Sequence, residues 1–179
     1  ARVWMHAEFL NIRGAKMSKR YGNVTTPRDL REDGVDPGAI RLLVYQTHYR
    51  QKLDLTDEAL VAAREGSRRI GEFDARLKRA DRRSGGQAVS QSGQFAELWK
   101  AWGDRLDTAV AESLNDDLNA PKAMAALFDA VREGNRLLDE GGQPPEEHRA
   151  AWRRAIEVLD VLPGDQGAVT IGAPAVEAS

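Results

Sequence analysis

The chain has 179 residues, of which 41% are hydrophobic and 30% charged, and its formal net charge is −2. These values are ordinary for a folded soluble protein, and they exclude a uniformly basic nucleic-acid-binding protein while allowing a local basic face. The sequence has no cysteine, which excludes disulfides and thiolate metal sites. No apolar run approaches the ~20 residues that span a bilayer, and no signal peptide is recognisable, so we expect a cytoplasmic protein that contacts no membrane.

The start of the sequence is unlike that of a complete protein. It begins at Ala1, and its first ten residues, ARVWMHAEFL, read as the interior of a folded domain. We therefore expect a fragment of a longer protein. Its three histidines, His6, His48 and His148, lack the spacing of metal ligands, so we expect no metal bound to this segment. The tail after Pro163 has little to bury and is predicted to be disordered.

Residues 1–24 mix apolar residues and glycine without a helical period. Within them, VWMH and EFLNI are typical of short strands or strand ends around a loop. At TTPRDLRE the pattern becomes helical: Thr26 is a favourable N-cap, Pro27 suits the first helical position, and Asp29 lies where a capping box needs its acceptor. Gly34 is predicted to end this short helix.

Two further helices are predicted before the middle of the chain. The first begins at Asp36, ends near Tyr49, and has an apolar face of Ile40, Leu43, Val44 and Thr47. The second follows the extended segment KLDL, is capped by Thr56, and runs to about Arg82. Its seam consists of Leu60, Ala63, Ser67, Ile70, Phe73, Asp74 and Leu77.

Three more helices are predicted after RSGGQAVSQSGQ, a stretch with the composition of a linker. The first of them has a face of Phe95, Leu98, Trp102, Leu106, Ala109 and Ser113. The next is capped by Asn119 and has a face of Met124, Leu127, Phe128, Val131, Asn135 and Leu138. The last begins at about Glu146 and presents Trp152, Ile156 and Leu159. Long helices with short breaks favour a mainly α protein built as an antiparallel bundle.

The segment GAKMSKRYGN, residues 14–23, differs from these helices. Its two lysines, Lys16 and Lys19, lie three residues apart between glycines, where two ammonium groups can close over a polyanion. If such contacts form as charge shifts during phosphoryl or nucleotidyl transfer, they accelerate that reaction. Taken alone, a K-x-x-K segment is more often a solvated basic loop.

Neighbouring segments change that interpretation. KMSKRYGN, followed by TTPRDL and IRLLVYQTHYR, resembles the class I aminoacyl-tRNA synthetases, whose second signature is KMSKS. Within that class the resemblance is best to the cysteinyl-tRNA synthetases. It extends through VWMHAEFL, DPGAIRLLVYQTHYRQKLDLTDEAL and LNDDLNAPKAMAALFDAVREGNRLL, and it covers about residues 3–139.

The resemblance implies that the loop binds ATP phosphates while an aminoacyl-adenylate forms. Lys19 would be the main catalytic and ATP-binding residue, Lys16 would assist it, and Ser18 would shape the loop around ATP. ATP would be bound with Mg as a substrate. Arg20 stands where the family usually has serine, which keeps the positive charge and removes a hydroxyl.

The resemblance also implies parts that these residues lack. The family's HIGH signature and its cysteine-containing zinc site are absent, so zinc belongs to the intact enzyme and has no ligands here. The usual C-terminal basic module is also absent. We expect a monomeric C-terminal piece that is inactive alone and whose partners in the intact enzyme are tRNA(Cys), ATP, cysteine and the remainder of the catalytic domain.

The expected architecture is an antiparallel helical bundle preceded by the end of a Rossmann-like α/β catalytic domain. The predicted divisions are residues 1–35 as the end of the catalytic domain with the KMSKS-type loop, 36–83 as connecting helices that contact the tRNA stem, 84–93 as a linker, 94–162 as the rest of a DALR-like bundle, and 163–179 as a flexible tail.

Basic residues are concentrated on the long helix before the linker. The cluster consists of Arg64, Arg68, Arg69, Arg76, Lys78, Arg79, Arg82 and Arg83. Four of these share one flank at helical spacing and are the predicted RNA-phosphate contacts: Arg64, Arg68, Arg79 and Arg82. Acidic residues alternate with the cluster, so a solvated, salt-bridged face is an equally good interpretation.

Two polar segments have a structural interpretation beside a functional one. In HYR, residues 48–50, packing of Tyr49 at the domain junction and pairing of Arg50 with a helix end are favoured over contact with the tRNA acceptor arm. In DDLNAP, Asp116, Asp117 and Asn119 are better read as a helix stop and cap than as an acid–base pair.

Two alternative functions stay open on the sequence. The cysteine ligase of mycothiol synthesis resembles the same family and ends soon after the helical bundle. A non-catalytic helical module that binds tRNA or protein is the other. The retained KMSK-type loop argues against a non-catalytic module, because the loop has little purpose without an ATP site.

Overall fold

The computed structural model describes residues 2, 4–84 and 93–164, with the backbone alone for 81–84. Most of the predicted linker and the tail after Gly164 lie outside these residues. None of the helices in the described part of the chain is long and apolar enough to cross a membrane.

A three-stranded sheet opens the described chain. It consists of β1 (Leu10–Ile12), β2 (Ala15–Lys16) and β3 (Leu53–Leu55), in the order β2-β1-β3. β1 pairs antiparallel with β2 and parallel with β3. The strand predicted at EFLNI and the extended segment KLDL are therefore confirmed. The strand predicted at VWMH is wrong for the described residues 4–6, because no neighbouring strand offers them a ladder of backbone partners.

Two short helices follow the sheet's hairpin. In α1 (Pro27–Glu32) the predicted capping box is confirmed: the Thr26 hydroxyl accepts from the Asp29 amide, and the Asp29 carboxylate accepts from the Thr26 amide. α2 (Pro37–Tyr45) begins as predicted, with the Asp36 carboxylate accepting from two backbone amides of its first turn.

The end and the apolar face of α2 differ from the prediction. The helix ends at Tyr45 and not near Tyr49, because the chain turns there so that Gln51 N–H bonds to His48 C=O. Its buried face contains Ala39, Leu42 and Leu43, whereas Val44 is 48% exposed. The face follows residues three and four apart, and Val44 lies beside that stripe.

Four longer helices form the rest of the molecule. They are α3 (Asp57–Ser84), α4 (Gly93–Asn115), α5 (Ala120–Asp139) and α6 (Glu146–Leu159). The Asn119 side chain caps α5 as predicted, accepting from the Lys122 amide. Short connections at 116–119 and 140–145 join α4, α5 and α6, which gives the predicted mainly α bundle.

The predicted seam of the long helix is confirmed at its centre, where Ala63, Ser67, Ile70, Phe73 and Leu77 are buried. On α4 the prediction missed Trp99, which is fully buried, whereas the predicted Leu98 is only partly buried. In the bundle α4 is oriented about its axis so that Trp99 and Trp102 both face the core.

Two apolar clusters divide the interior. The larger lies inside the bundle, where the Phe73 ring meets Trp102 and Trp152 edge to face, with ring centroids 6.1 and 4.8 Å apart. The smaller lies under the sheet and includes Leu30, Leu43 and Leu55. Because α2 and α3 contribute to both clusters, the sheet is packed on one end of the bundle. The domain boundaries predicted from the sequence stay predictions.

Candidate functional site

The lysine-containing loop begins at a two-residue hairpin turn. Arg13 and Gly14 join β1 to β2, and both have a positive φ, 49° and 79°. This is the twist that a tight hairpin needs, and glycine adopts it without steric cost. The turn therefore delivers Lys16 at the end of β2, on the exposed edge of the sheet.

The rest of the loop is a compact turn. Ser18 caps the 3₁₀ turn Lys19–Tyr21, and its hydroxyl accepts from the Arg20 amide at 3.2 Å. Gly22 ends the turn with a φ of 65°. Asn23 then closes the loop, since its Oδ1 accepts from Ser18 N–H at 2.9 Å and its Nδ2 donates to Lys16 C=O at 3.2 Å. The turn holds the lysine backbones while leaving their side chains outside.

The two lysines are in different environments. Lys16 Nζ lies 3.7 Å from the centroid of the Phe9 ring, a cation–π contact of about 0.5–1 kcal/mol at an exposed site. Lys19 is exposed, and within the described part of the chain its side chain makes no hydrogen bond or ion pair. Both ammonium groups keep donors for a ligand, and Lys19 has nothing to give up on binding.

Carboxylates of the next segment hold the base of the loop. Gly14 N–H donates to Asp54 Oδ1 at 3.0 Å, and Arg13 Nη2 lies 3.1 Å from both oxygens of Asp57. The Arg13 amide also donates to Leu55 C=O at 3.2 Å. The hairpin is thereby tied to β3 and to the first turn of α3. The sequence interpretation gave no role to Phe9, Asn23, Asp54 or Asp57. Asn23 lies within the loop, whereas only tertiary contacts bring Asp54 and Asp57 to it.

The four arginines predicted to contact RNA are not equivalent. Arg64 donates to Asp33 C=O at 3.1 Å, and Arg68 is ion-paired with both Glu65 and Glu72 on its own helix. These contacts raise the pKa of Arg68 above its ordinary value, with the hydrogen bond to Glu65 as the largest cause. Among the described residues Arg79 makes no hydrogen bond or ion pair, and it lines a cavity of about 230 Å³. The Arg82 side chain lies outside the described residues.

The HYR segment meets the connection between α4 and α5. Arg50 Nε and Nη2 lie 2.7 and 3.2 Å from the Asp117 carboxylate oxygens, and Tyr49 OH donates to Asp117 Oδ1 at 2.5 Å. The hydrogen bonds from Arg50 and then Tyr49 lower the pKa of Asp117 to about 2. The prediction that Arg50 pairs with a helix end is confirmed. Asp117 is an acceptor in a structural cluster, as the helix-stop interpretation favours.

No group of three or more His, Cys, Asp or Glu side chains in residues 2, 4–84 and 93–164 is arranged to hold a metal ion. The 179 residues also contain no cysteine. The described residues therefore offer no ligand set for the zinc ion that the family resemblance implies.

Two known sequence families match the chain. The tRNA synthetases class I (C) catalytic domain matches residues 1–65, and the DALR domain matches residues 109–163. The first match contains the lysine loop and its carboxylate anchors, and the second contains α5, α6 and Asp117.

Curated proteins similar to the chain are named cysteine–tRNA ligase. A relative in Chlamydia caviae is 34% identical over 91% of this chain and 33% of its own length. One in Chlamydia pneumoniae is 38% identical over 79% of the chain and 28% of its own length. One in Cyanothece sp. is 34% identical over 90% of the chain and 34% of its own length. The chain thus spans about a third of the length of the curated relatives it matches.

Proposed function

We propose that this chain, which belongs to the cysteine–tRNA ligase family of class I tRNA synthetases, supplies the ATP-binding lysine loop and the helical bundle of an enzyme that activates cysteine and ligates it to tRNA(Cys). The observation that carries the proposal is the exposed Lys19, whose side chain makes no hydrogen bond or ion pair with the described residues, on a turn whose backbone is closed by Ser18 and Asn23.

The first reaction needs positive charge where the loop supplies it. A carboxylate oxygen of cysteine attacks the α-phosphorus of ATP, the bond to the β-phosphate oxygen breaks, and pyrophosphate leaves with the negative charge. An ammonium group that meets this leaving group stabilises the transition state more than the bound substrate, and so accelerates the step. We assign that role to Lys19, with ATP entering as its Mg complex.

Lys16 has the supporting role. Its ammonium rests on the Phe9 ring, which limits the directions that the side chain explores. Because a cation–π contact leaves the N–H donors of the ammonium available, Lys16 can bind a phosphate oxygen without leaving the ring. Ser18 contributes through the backbone, since its hydroxyl orders the turn that carries Lys19.

In the second reaction a hydroxyl of the 3′-terminal ribose of tRNA attacks the carbonyl carbon of the adenylate, and AMP leaves. The bundle is the proposed tRNA-binding part, because the DALR domain matches it. Of the four predicted arginines, Arg79 is the best phosphate contact, since Arg68 would first have to give up Glu65 and Glu72. We assign Arg64, which donates to Asp33 C=O, a weaker role on the same flank, and Arg82 stays a predicted phosphate contact.

The proposal is tested by ATP–pyrophosphate exchange in the complete synthetase that contains these residues. Lys19→Ala should lower the exchange rate by about 10²-fold, the effect of removing one donor to a developing charge. Arg28→Ala, which removes an exposed cation on the neighbouring α1, is the matched control and should keep the wild-type rate. Equal rates for Lys19→Ala and wild type would overturn the assignment.

Two further measurements define the enzyme. The 179 residues alone should show no exchange, as expected of a chain without a HIGH signature. The complete protein should charge tRNA(Cys) with cysteine and leave a glucosaminyl-inositol acceptor unmodified. The names of the curated relatives support the tRNA acceptor over the mycothiol-type ligase.

A further inference from the structure

Asp117 joins two parts of the molecule that are far apart in sequence. Its carboxylate receives Arg50 Nε and Nη2 at 2.7 and 3.2 Å and Tyr49 OH at 2.5 Å, and its backbone carbonyl lies 3.1 Å from His48 Nε2. Three consecutive residues of one loop therefore bind one residue of the α4–α5 connection. We call this set the HYR–Asp117 clamp.

The backbone of that connection adopts an uncommon conformation. Asp117 and Leu118 both lie in the left-handed region, with φ of 52° and 53°, and neither is glycine. Two successive L-residues there are unfavourable, and such conformations persist only where surrounding contacts impose them. Asn119 helps to impose this conformation on Asp117 and Leu118. Its backbone N–H donates to Ser113 C=O at 2.9 Å, and its side chain caps α5. The result directs the Asp117 carboxylate at the loop.

The HYR segment is connected to the lysine loop by a short stretch of chain and by the pairing of two strands. Leu53, the first residue of β3, follows Arg50 by three positions, and β3 pairs in parallel with β1. β1 continues through the hairpin turn into β2 and Lys16, and Asp54 binds that turn at Gly14. The Asp117 contact with the HYR segment is therefore one of the attachments that hold the sheet carrying the loop to the bundle, beside the packing of α2 and α3 and the Arg13–Asp57 ion pair.

We propose that Asp117 is a positioning residue that sets the orientation of the bundle relative to the lysine loop, so that bound tRNA presents its 3′ end to the adenylate. This inference rests on the proposed function. It predicts a split between the two reactions: cysteine activation does not depend on the orientation of the bundle relative to the loop, whereas tRNA charging does.

The first experiment tests the clamp on the 179-residue chain by amide hydrogen exchange. Asp117→Asn should accelerate exchange in residues 46–56 and 10–16 and leave the buried turns of α4 and α5 unchanged. Asp116→Asn is the matched control, because Asp116 is an adjacent exposed carboxylate whose nearest cation, Lys122, lies 3.9 Å away. Unchanged exchange at 46–56 in Asp117→Asn, or acceleration throughout the bundle, would overturn the clamp as a local device.

The second experiment uses the complete synthetase. Asp117→Asn should lower kcat/KM for tRNA(Cys) charging about tenfold, within the usual range of coupling between sites, while ATP–pyrophosphate exchange stays within about twofold of wild type. Arg50→Gln should lower charging in the same direction, and the double variant should lose little more than Asp117→Asn alone, because the Arg50–Asp117 ion pair is already lost in each single variant.

The outcomes separate the two hypotheses. Equal losses of exchange and charging in Asp117→Asn, or additive losses in the double variant, would overturn the positioning role. If the wild-type enzyme shows neither reaction, the proposed function fails, and the hydrogen-exchange result still decides whether the clamp exists.

Discussion

Gly134 of α5 lies directly against the ring of Phe73 of α3, so closely that a Cβ at Gly134 would be 2.4 Å from Phe73 Cζ. The same ring meets Trp102 and Trp152 edge to face. The approach of α5 to α3 at the centre of the bundle therefore depends on the absence of a side chain at Gly134.

Gly134→Ala should destabilise the protein by about 1–3 kcal/mol, because the added methyl group overpacks a core of rigid aromatic rings. This loss should exceed the gain of up to about 1 kcal/mol that alanine brings to a helix. The measurement is urea unfolding followed by helical circular dichroism. Gly93→Ala, at an open position of α4, is the control and should not destabilise the protein. A Gly134→Ala variant as stable as wild type would contradict the close contact.

Asn23→Ala should raise KM for ATP in the exchange reaction roughly tenfold, because the loop loses two hydrogen bonds of about 1 kcal/mol each. The bonds join Asn23 to Ser18 N–H and Lys16 C=O. Thr25→Ala is the comparison, since Thr25 is two residues away and bonds to neither lysine nor Ser18. If both variants keep the wild-type KM, the closed loop is not the form that binds ATP.

Arg79→Ala should weaken tRNA binding by the complete protein and reduce the slope of log K against log salt by about 1, as expected for one lost phosphate contact. Arg68→Ala should have a smaller effect, because Arg68 is engaged by Glu65 and Glu72. Binding is measured by filter retention or fluorescence anisotropy over a series of salt concentrations. The reverse order of effects would place the RNA surface elsewhere on α3.

Acid should weaken the HYR–Asp117 clamp in a defined pH window. The pKa of Asp117 falls from its usual 3.8 to about 2 in the folded protein, because Arg50 and Tyr49 donate to the carboxylate. A carboxyl group whose pKa is lower in the folded protein than in the unfolded chain stabilises the fold at pH values above its unfolded pKa. This contribution is lost as the pH falls from about 4 toward 2. The thermal midpoint of wild type should therefore exceed that of Asp117→Asn at pH 6.

The difference in thermal midpoint between wild type and Asp117→Asn should shrink as the pH is lowered toward 2.5. The measurement is thermal unfolding of the two proteins between pH 6 and pH 2.5. Other carboxyl groups with a lowered pKa, Asp29, Glu65 and Glu146, titrate in both proteins and cancel in the difference. A gap that stays constant with pH would mean that the Asp117 charge does not stabilise the fold.

Some features of the helices depend only on neighbouring residues in the sequence, and others depend on tertiary packing. The caps at Thr26, Asp36 and Asn119 could be read from the sequence, because each depends on residues within three positions along the chain. The buried face of α2 could not be read from the sequence, because the element that packs on a helix decides which side of a broad apolar stripe is buried. Val44 therefore stays exposed while Leu42 is buried.

The candidate site shows the same division. The sequence by itself predicted that KMSKRYGN is a turn carrying two lysines, because the flanking glycines act locally, and the family resemblance implies its chemistry. Only the tertiary structure decided what holds the base of that turn: Asp54 lies 40 residues from Gly14, and Asp57 lies 44 residues from Arg13. Contacts over such separations form because the sheet packs on the bundle, and no local pattern records which carboxylate will meet which donor.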